Sequence, residues 1–496
     1  MNINAVSQEY SCCREVFRHT KNTRLYQESI LPDTLEDVGK LASSRATVYL
    51  KSKDIGAHGI TAGGEVEFRI LYISESRKQV LAFTVTKDFS VDFELEQSAE
   101  AVSTQLHFEV TNLQTRTVNP RKLSVEADLC AFLYGYEQGS VSTVSDVEQR
   151  EEYHIHLAQE SIPSSFLCAA VEKSFVVSEQ FPIEGYATPM EAILSAYAES
   201  DITDCQMLGN KALLKGVTRV HGIFRRQECL EPLTLDFTCP FSQLVECEGE
   251  NGTLFRALLE QSAAYFSLTD TIGGGKSLEM ELHYVGQLLF CENRELPAVR
   301  DCYSNQYALT CHCVPLRCRR DQHREQLRLA QDEELDALPP GAVPILQSAS
   351  TDNLAATERG MRCRVLLGVL YSGEDGLYSY QQRSFWLEAD LPVSHFEENG
   401  VVLEELRLRN ENELLFCHVS AKFLYSSWEE NDSTVVDGIE LSEETVDFSS
   451  FPSLTLVRPG AESSWELAKK HHSTPEAIEE ANRDNQTAVL LIPKAL

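Results

Sequence analysis

The sequence predicts a mainly β protein: tandem β-sandwich-like repeats followed by a small α+β module at the C-terminus. Three observations carry this. Apolar and polar residues alternate in many runs, which is the period of a half-buried strand. Clusters of Asn, Pro and Gly separate those runs at hairpin spacing. Helical periodicity is scarce until the C-terminal stretch that begins at Ser464.

The runs recur in one order, three times. In the first copy, Gly64-Glu65-Val66-Glu67-Phe68-Arg69-Ile70-Leu71-Tyr72 puts Val66, Phe68, Ile70 and Tyr72 on one face and the charged residues on the other. The second copy offers Lys215 to Phe224 and the third Arg362 to Tyr371. Each copy then ends in a hairpin. The first turns at Asn119-Pro120, the second at Gly273-Gly274-Gly275, and the third at Asn410-Glu411-Asn412. The expected organisation is an N-terminal segment over 1–27 and repeats over 28–147, 148–295 and 296–430. An acidic linker over 431–451 and a terminal module over 452–496 complete it. Two further stretches read as linkers: Glu148 to Glu152, and the charged span Arg319 to Pro340.

A chain of 496 residues exceeds one ordinary core and suggests about three domains. Its 43% hydrophobic content fits globular domains rather than disorder. The formal charge of −33 opposes nucleic-acid binding, which needs a basic surface, and adsorption to anionic lipid. The start, Met1-Asn2-Ile3-Asn4, lacks the basic-then-apolar pattern of a signal peptide, and no run is long and apolar enough for a membrane span. The expected location is therefore cytoplasmic. The 15 cysteines are scattered without framework spacing, which suits a reducing compartment.

Motifs that resemble chemistry have plainer readings. Gly273-Gly274-Gly275-Lys276-Ser277 ends like a phosphate-binding loop, but Asp270 stands where that motif needs Gly and a strand follows instead of a helix. Cys311, Cys313 and Cys318, with His312 and His323 nearby, are weak candidates for zinc, because their spacing is uncommon for a site and thiols are ordinary core residues. His154 and His156 read as a surface pair, and His471 and His472 as the basic end of a helix. The acidic runs Asp332-Glu333-Glu334 and Glu397-Glu398 read as solvated charge. No nucleophile motif is present and carboxylates are too numerous to single out a pair. The expectation is no catalytic residue, no cofactor and no enzyme activity.

The C-terminal stretch is the most specific. Thr455 to Gly460 reads as a strand and turn, Ser464 to Lys470 as a helix, Ser473 to Asn482 as a second helix, and Val489 to Pro493 as a closing strand. This order, with its Pro-Gly, Trp, Thr-Pro-Glu and Asn landmarks, resembles a LysM domain. Glu28 to Val38, Gly64-Glu65-Val66, Leu71-Tyr72 and Arg300 to Tyr307 resemble the SPOCS domain of Gram-positive spore-formers. Tandem SPOCS repeats followed by LysM are similar to the spore-coat morphogenetic proteins of clostridia. The resemblance implies a non-enzymatic scaffold on the mother-cell side, recruited to the forespore surface, with the LysM-like module contacting the coat's basement-layer ATPase or other coat proteins. It also implies that the first loop meets the partner: Arg458, Pro459, Gly460, Glu462 and Ser463, with Trp465 and Lys469 on the helix that follows. Two departures stand out. The loop before Trp465 is one residue longer than the LysM pattern, and the second ligand loop is reduced to Asp484 to Ala488. Those changes disfavour N-acetylglucosamine recognition, whose shallow groove needs both walls. The alternatives are a peptidoglycan-binding LysM protein of the envelope and a metal-dependent enzyme built on Cys311, Cys313 and Cys318.

Overall fold

The computed structural model describes residues 4–495 apart from 77, 97–101, 187–188, 228–230, 248–251, 272–274, 340, 375–376, 412–413, 448–450, 459 and 484–488. The chain is mainly β, as expected. Its strands fall into three sets of six. The first set is β1 (Ala5–Ile30), β2 (Val38–Gly56), β3 (Gly59–Ser74), β4 (Val80–Glu94), β5 (Ser103–Asn119) and β6 (Lys122–Val147). The second is β7 (Ile155–Ile183), β8 (Met190–Met207), β9 (Lys211–Arg226), β10 (Leu233–Glu246), β11 (Thr253–Asp270) and β12 (Lys276–Ser304). The third is β13 (Tyr307–Leu335), β14 (Val343–Ala356), β15 (Gly360–Ser372), β16 (Tyr378–Asp390), β17 (His395–Glu411) and β18 (Leu414–Thr445).

Every set makes the same unit. Its first, last and fifth strands form one antiparallel sheet, and its second, third and fourth form another. The two sheets pack face to face around a single core. In the first unit, Val66, Phe68, Ile70 and Tyr72 from β3 meet Leu106 of β5 and Val125, Ala127 and Leu129 of β6. The alternating runs of the three copies occupy the same place, the central strand of the second sheet: β3, β9 and β15. The closing hairpins are likewise β5–β6, β11–β12 and β17–β18. Gly64 sits where β3 passes closest to its neighbours. A Cβ there would lie 2.2 Å from the Tyr49 carbonyl oxygen and 2.7 Å from the Phe89 ring. Pro240 is tolerated because β10 is an edge strand with no ladder to break on its outer side.

The units are not beads on a string. Their outer strands are long, 26 residues each in β1 and β6, 29 in β7, β12 and β13, and 32 in β18. Each first–last pair therefore extends beyond its sandwich as a two-stranded ribbon. The three ribbons pack together through Val144, Val147, Ile155, Leu157, Val299, Val436 and Ile439. At the second sheets, Leu71, Leu194, Ile223, Leu346 and Leu370 meet in another shared cluster. A single pairing of Cys13 with Leu167 joins two units into one six-stranded sheet, β11-β12-β7-β1-β6-β5.

Buried charges tie the joints. Arg256, 1% exposed, donates to Glu397 Oε1 at 2.5 Å, to Gln105 Oε1 at 3.0 Å and to the Tyr136 hydroxyl, and its guanidinium lies over the Tyr134 ring. Arg256 belongs to the second unit and its partners to the first and third. Lys422 and Arg324 of the third unit converge on Asp201 of the second. Gln287 pairs with both backbone groups of Leu106, donating at 2.7 Å and accepting at 2.6 Å. Between the units lies a cavity of about 420 Å³. Arg45 reaches across it from the first unit to Glu199 of the second at 2.7 Å, with its guanidinium over Tyr197. His107 lines the same cavity, 2.7 Å from Glu260. Burial works to lower its pKa, but Glu260 and Glu109 outweigh that and push it up to about 10.

Three stretches differ from the sequence-based expectation. Residues 5–27, read as a segment before the first repeat, lie in β1 and pair along β6. The span from Arg319, read as a linker, continues β13 to Leu335: Arg319, Arg320, Arg328 and Asp332 are exposed, Arg324 reaches Asp201, and Leu327 and Leu329 pack inward. Residues 431–445, read as acidic linker, complete β18, where Val435, Val436, Ile439 and Leu441 are buried in the ribbon contacts.

Candidate functional site

The chain closes with β19 (Leu454–Val457), α1 (Ser464–His471), α2 (Pro475–Asn482) and β20 (Leu490–Pro493). Each helix is short and depends on its caps. Ser463 is the N-cap of α1: its Oγ accepts from Glu466 N at 3.2 Å, and Glu466 Oε2 accepts from Ser463 N at 2.7 Å. This reciprocal box satisfies two otherwise orphaned donors. His472 ends the helix in the left-handed conformation, φ 52°. Thr474 Oγ1 caps α2 by accepting from Ala477 N at 3.0 Å, and Pro475 fits the first turn, where its missing N–H costs nothing. β19 and β20 pair antiparallel, Leu454 with Pro493 through Val457 with Leu490. Asn482 fastens α2 to β20: its Nδ2 donates to Leu491 O at 2.6 Å and Ile478 O at 2.7 Å, and its Oδ1 accepts from Leu491 N at 2.8 Å.

The module's core is completed by a residue from outside it. Leu467, Ala468, Ile478 and Ile492 pack against Tyr303, near the end of β12. The Tyr303 hydroxyl donates to Ser473 O at 2.9 Å, and burial raises its pKa. The His156 ring lies beside that of Tyr303 at 5.0 Å, and Trp465 meets it edge-on at 4.9 Å. Asp301 anchors the same contact. Trp465 Nε1 donates to its Oδ2 at 2.9 Å, and Lys469 Nζ donates to Oδ1 at 2.6 Å and Oδ2 at 2.8 Å. Trp465 and Lys469 are four apart on α1 and so project from one face.

The first loop is therefore divided. Trp465, half-buried, and Lys469, at the surface, both bond to Asp301 of the same chain. Ser463 is engaged in its cap. Arg458, Gly460 and Glu462 are exposed, and nothing stands within 4 Å of the space a Gly460 side chain would fill. Glu462 also pairs with Lys470 at 2.9 Å. Beside this loop, Leu454 is 50% and Leu456 65% exposed. Pro459 and the reduced second loop, Asp484 to Ala488, lie outside the described residues.

The other candidates separate. Cys311 Sγ donates to the Cys302 carbonyl at 3.2 Å, Cys313 is exposed beyond a register shift, and Cys318 is buried among Ile162, Leu296 and Val435. Among the described residues no group of three His, Cys, Asp or Glu side chains is placed to hold a metal ion. Lys276 opens strand β12 and pairs with Asp270 at 2.6 Å, while Gly273 and Gly274 lie outside the described residues. His154 and His156 do not form a surface pair. His154 sits in a left-handed turn, φ 48°, before β7 begins, and His156 is half-buried beside Tyr303. Among the described residues no helix is long and apolar enough to cross a membrane.

Asp301 and Tyr303 are the site residues that sequence reasoning missed. Both stand in the tract Arg300 to Tyr307, but nothing local marks them as the seat of a helix more than 160 residues later. Comparison with family models, curated proteins and solved structures finds no match for this chain.

Proposed function

We propose that this chain is a non-enzymatic scaffold of spore-coat assembly that presents its C-terminal LysM-like module to a partner, the coat's basement-layer ATPase or another coat protein. The observation that supports this most is the division of the module's first loop. On one side, Trp465 and Lys469 of α1 fasten the module to β12 through Asp301. On the other side, Arg458, Gly460 and Glu462 are exposed ahead of the Ser463 cap. Exposed loop residues can meet a partner without disturbing the core. The order of three repeated β units followed by a β-α-α-β module also supports this reading, since it is the order that the resemblance implies.

The test is a fluorescent fusion in sporulating cells, with and without residues 452–496, alongside a full-length variant carrying Arg458→Glu and Glu462→Lys. The expected result is a shell around the forespore that disperses on truncation and weakens in the loop variant. Diffuse signal from the intact chain would refute the scaffold reading. Retention of the intact chain on purified peptidoglycan, lost in the loop variant, would reassign the module to wall glycan.

A further inference from the structure

We propose that Cys302 and Cys311 are a redox-modification site, which a low-molecular-weight disulfide such as oxidised glutathione converts to an intramolecular disulfide beneath the seat of the C-terminal module. The pair is a product of topology. β12 ends at Ser304, Asn305 and Gln306 form the turn, and β13 returns from Tyr307. That reversal brings two residues nine apart into contact. Cys311 Sγ donates to the Cys302 carbonyl oxygen at 3.2 Å. Both belong to the cluster where the ribbons meet, Cys302 at its centre and 1% exposed, Cys311 at its margin and half-buried. Cys311 is therefore the thiol that an external disulfide reaches first.

The surroundings favour that order. Interaction with Cys302 holds the Cys311 thiol below its ordinary value against burial and the Asp301 carboxylate, and the Lys469 ammonium adds a smaller lowering. The shared interaction and burial push Cys302 up. Elsewhere burial raises the thiols, to about 12 at Cys168 and Cys363 and about 11 at Cys205 and Cys417, which keeps them protonated and slow to react.

The exchange has two steps. The Cys311 thiolate attacks one sulfur of oxidised glutathione, forms a mixed disulfide and releases one glutathione thiolate, which takes up a proton. Cys302 then loses its proton, attacks the Cys311 sulfur and expels the second glutathione. Two protein thiols give up two electrons and two protons, and one glutathione disulfide becomes two glutathione thiols. Asp301, which holds Trp465 and Lys469, is the residue next to Cys302, so the new bond forms in the strand segment that carries the module.

The test uses the full-length folded chain. It is incubated with oxidised glutathione, free thiols are alkylated, and a digest made without reduction is mapped by mass spectrometry. A peptide cross-linked through Cys302 and Cys311, with the loss of two alkylatable thiols and recovery on dithiothreitol, is the expected result. Cys302→Ser should instead stop at a stable glutathione adduct on Cys311, and Lys469→Ala should slow the cross-link several-fold. A bridge between Cys311 and Cys313, an adduct at Cys313 alone, or an unchanged thiol count in the unsubstituted chain would overturn the proposal. The map of the unsubstituted chain decides this even if a variant fails to fold.

Discussion

Arg256→Met should loosen all three β units at once. The guanidinium is 1% exposed and holds Glu397, Gln105 and the Tyr136 hydroxyl, one or more from each neighbouring unit. Removing one member of a buried ion pair costs about 3–5 kcal/mol, because the other charge stays behind without its partner. Arg18 also contacts Glu397, at 2.9 Å, and remains in the variant, which places the pair's share at the lower end. Gln105 loses its acceptor contact inside the core, which adds about 1 kcal/mol. The sum is about 4 kcal/mol. With a guanidinium chloride slope of about 4 kcal/mol/M, the unfolding midpoint should fall by about 1 M. Trp428 packs in the cluster that contains Tyr136 and Phe255, so its fluorescence reports the joint directly. Adding Glu397→Met should restore most of the loss, since an apolar pair of similar volume replaces a buried ion pair at little cost. A midpoint within about 0.2 M of the unsubstituted chain would refute this reasoning, on the same slope. So would a double variant no more stable than the single one.

Two further outcomes follow from the side chains at the cavity and in the module. His107 has its pKa pushed up to about 10 from an ordinary value of 6.5, so its contribution to stability is full below about pH 6.5 and fades as pH rises through about 10. His107→Gln should flatten the denaturation midpoint against pH between 6 and 10; an unchanged slope would remove Glu260 and Glu109 as the cause. Asn482→Ala strips two hydrogen bonds between α2 and β20 and one within α2, and should destabilise the module by about 2–3 kcal/mol at roughly 1 kcal/mol each. Hydrogen exchange at Leu491 should quicken while that of β3 stays unchanged; equal quickening in both would show that the module does not open independently.

How much was legible in the sequence depended on which partner a residue faces. Val66 to Tyr72 alternate in a strand with one buried face, and that period survives in the bare sequence. The helix caps Ser463 and Thr474 also act over three residues, so their pattern is local. By contrast, Arg319 to Leu335 reads as a charged linker because its ribbon neighbours cover only part of it. Its apolar residues are spaced by charges that a lone strand would not tolerate, yet β18 pairs along it. Arg256 and Asp201 look like surface charges until the neighbouring unit is in place. Asp301 and Tyr303 gain their roles only when a helix from the far end of the chain arrives. Partners supplied by another unit leave no mark on the residues that await them.

The mutual packing of the three ribbons also bears on how such a chain evolves. In a solenoid each repeat touches only its neighbours, so repeats are gained and lost with little penalty. Here the first unit touches the third as well as the second, through Arg18 with Glu397 and through the shared cluster of Leu71, Leu194 and Leu370. The arrangement is a closed ring with three unlike joints. Duplicating or deleting one unit would leave two joints facing the wrong surfaces. The number three is thus tied to the mutual packing of the units.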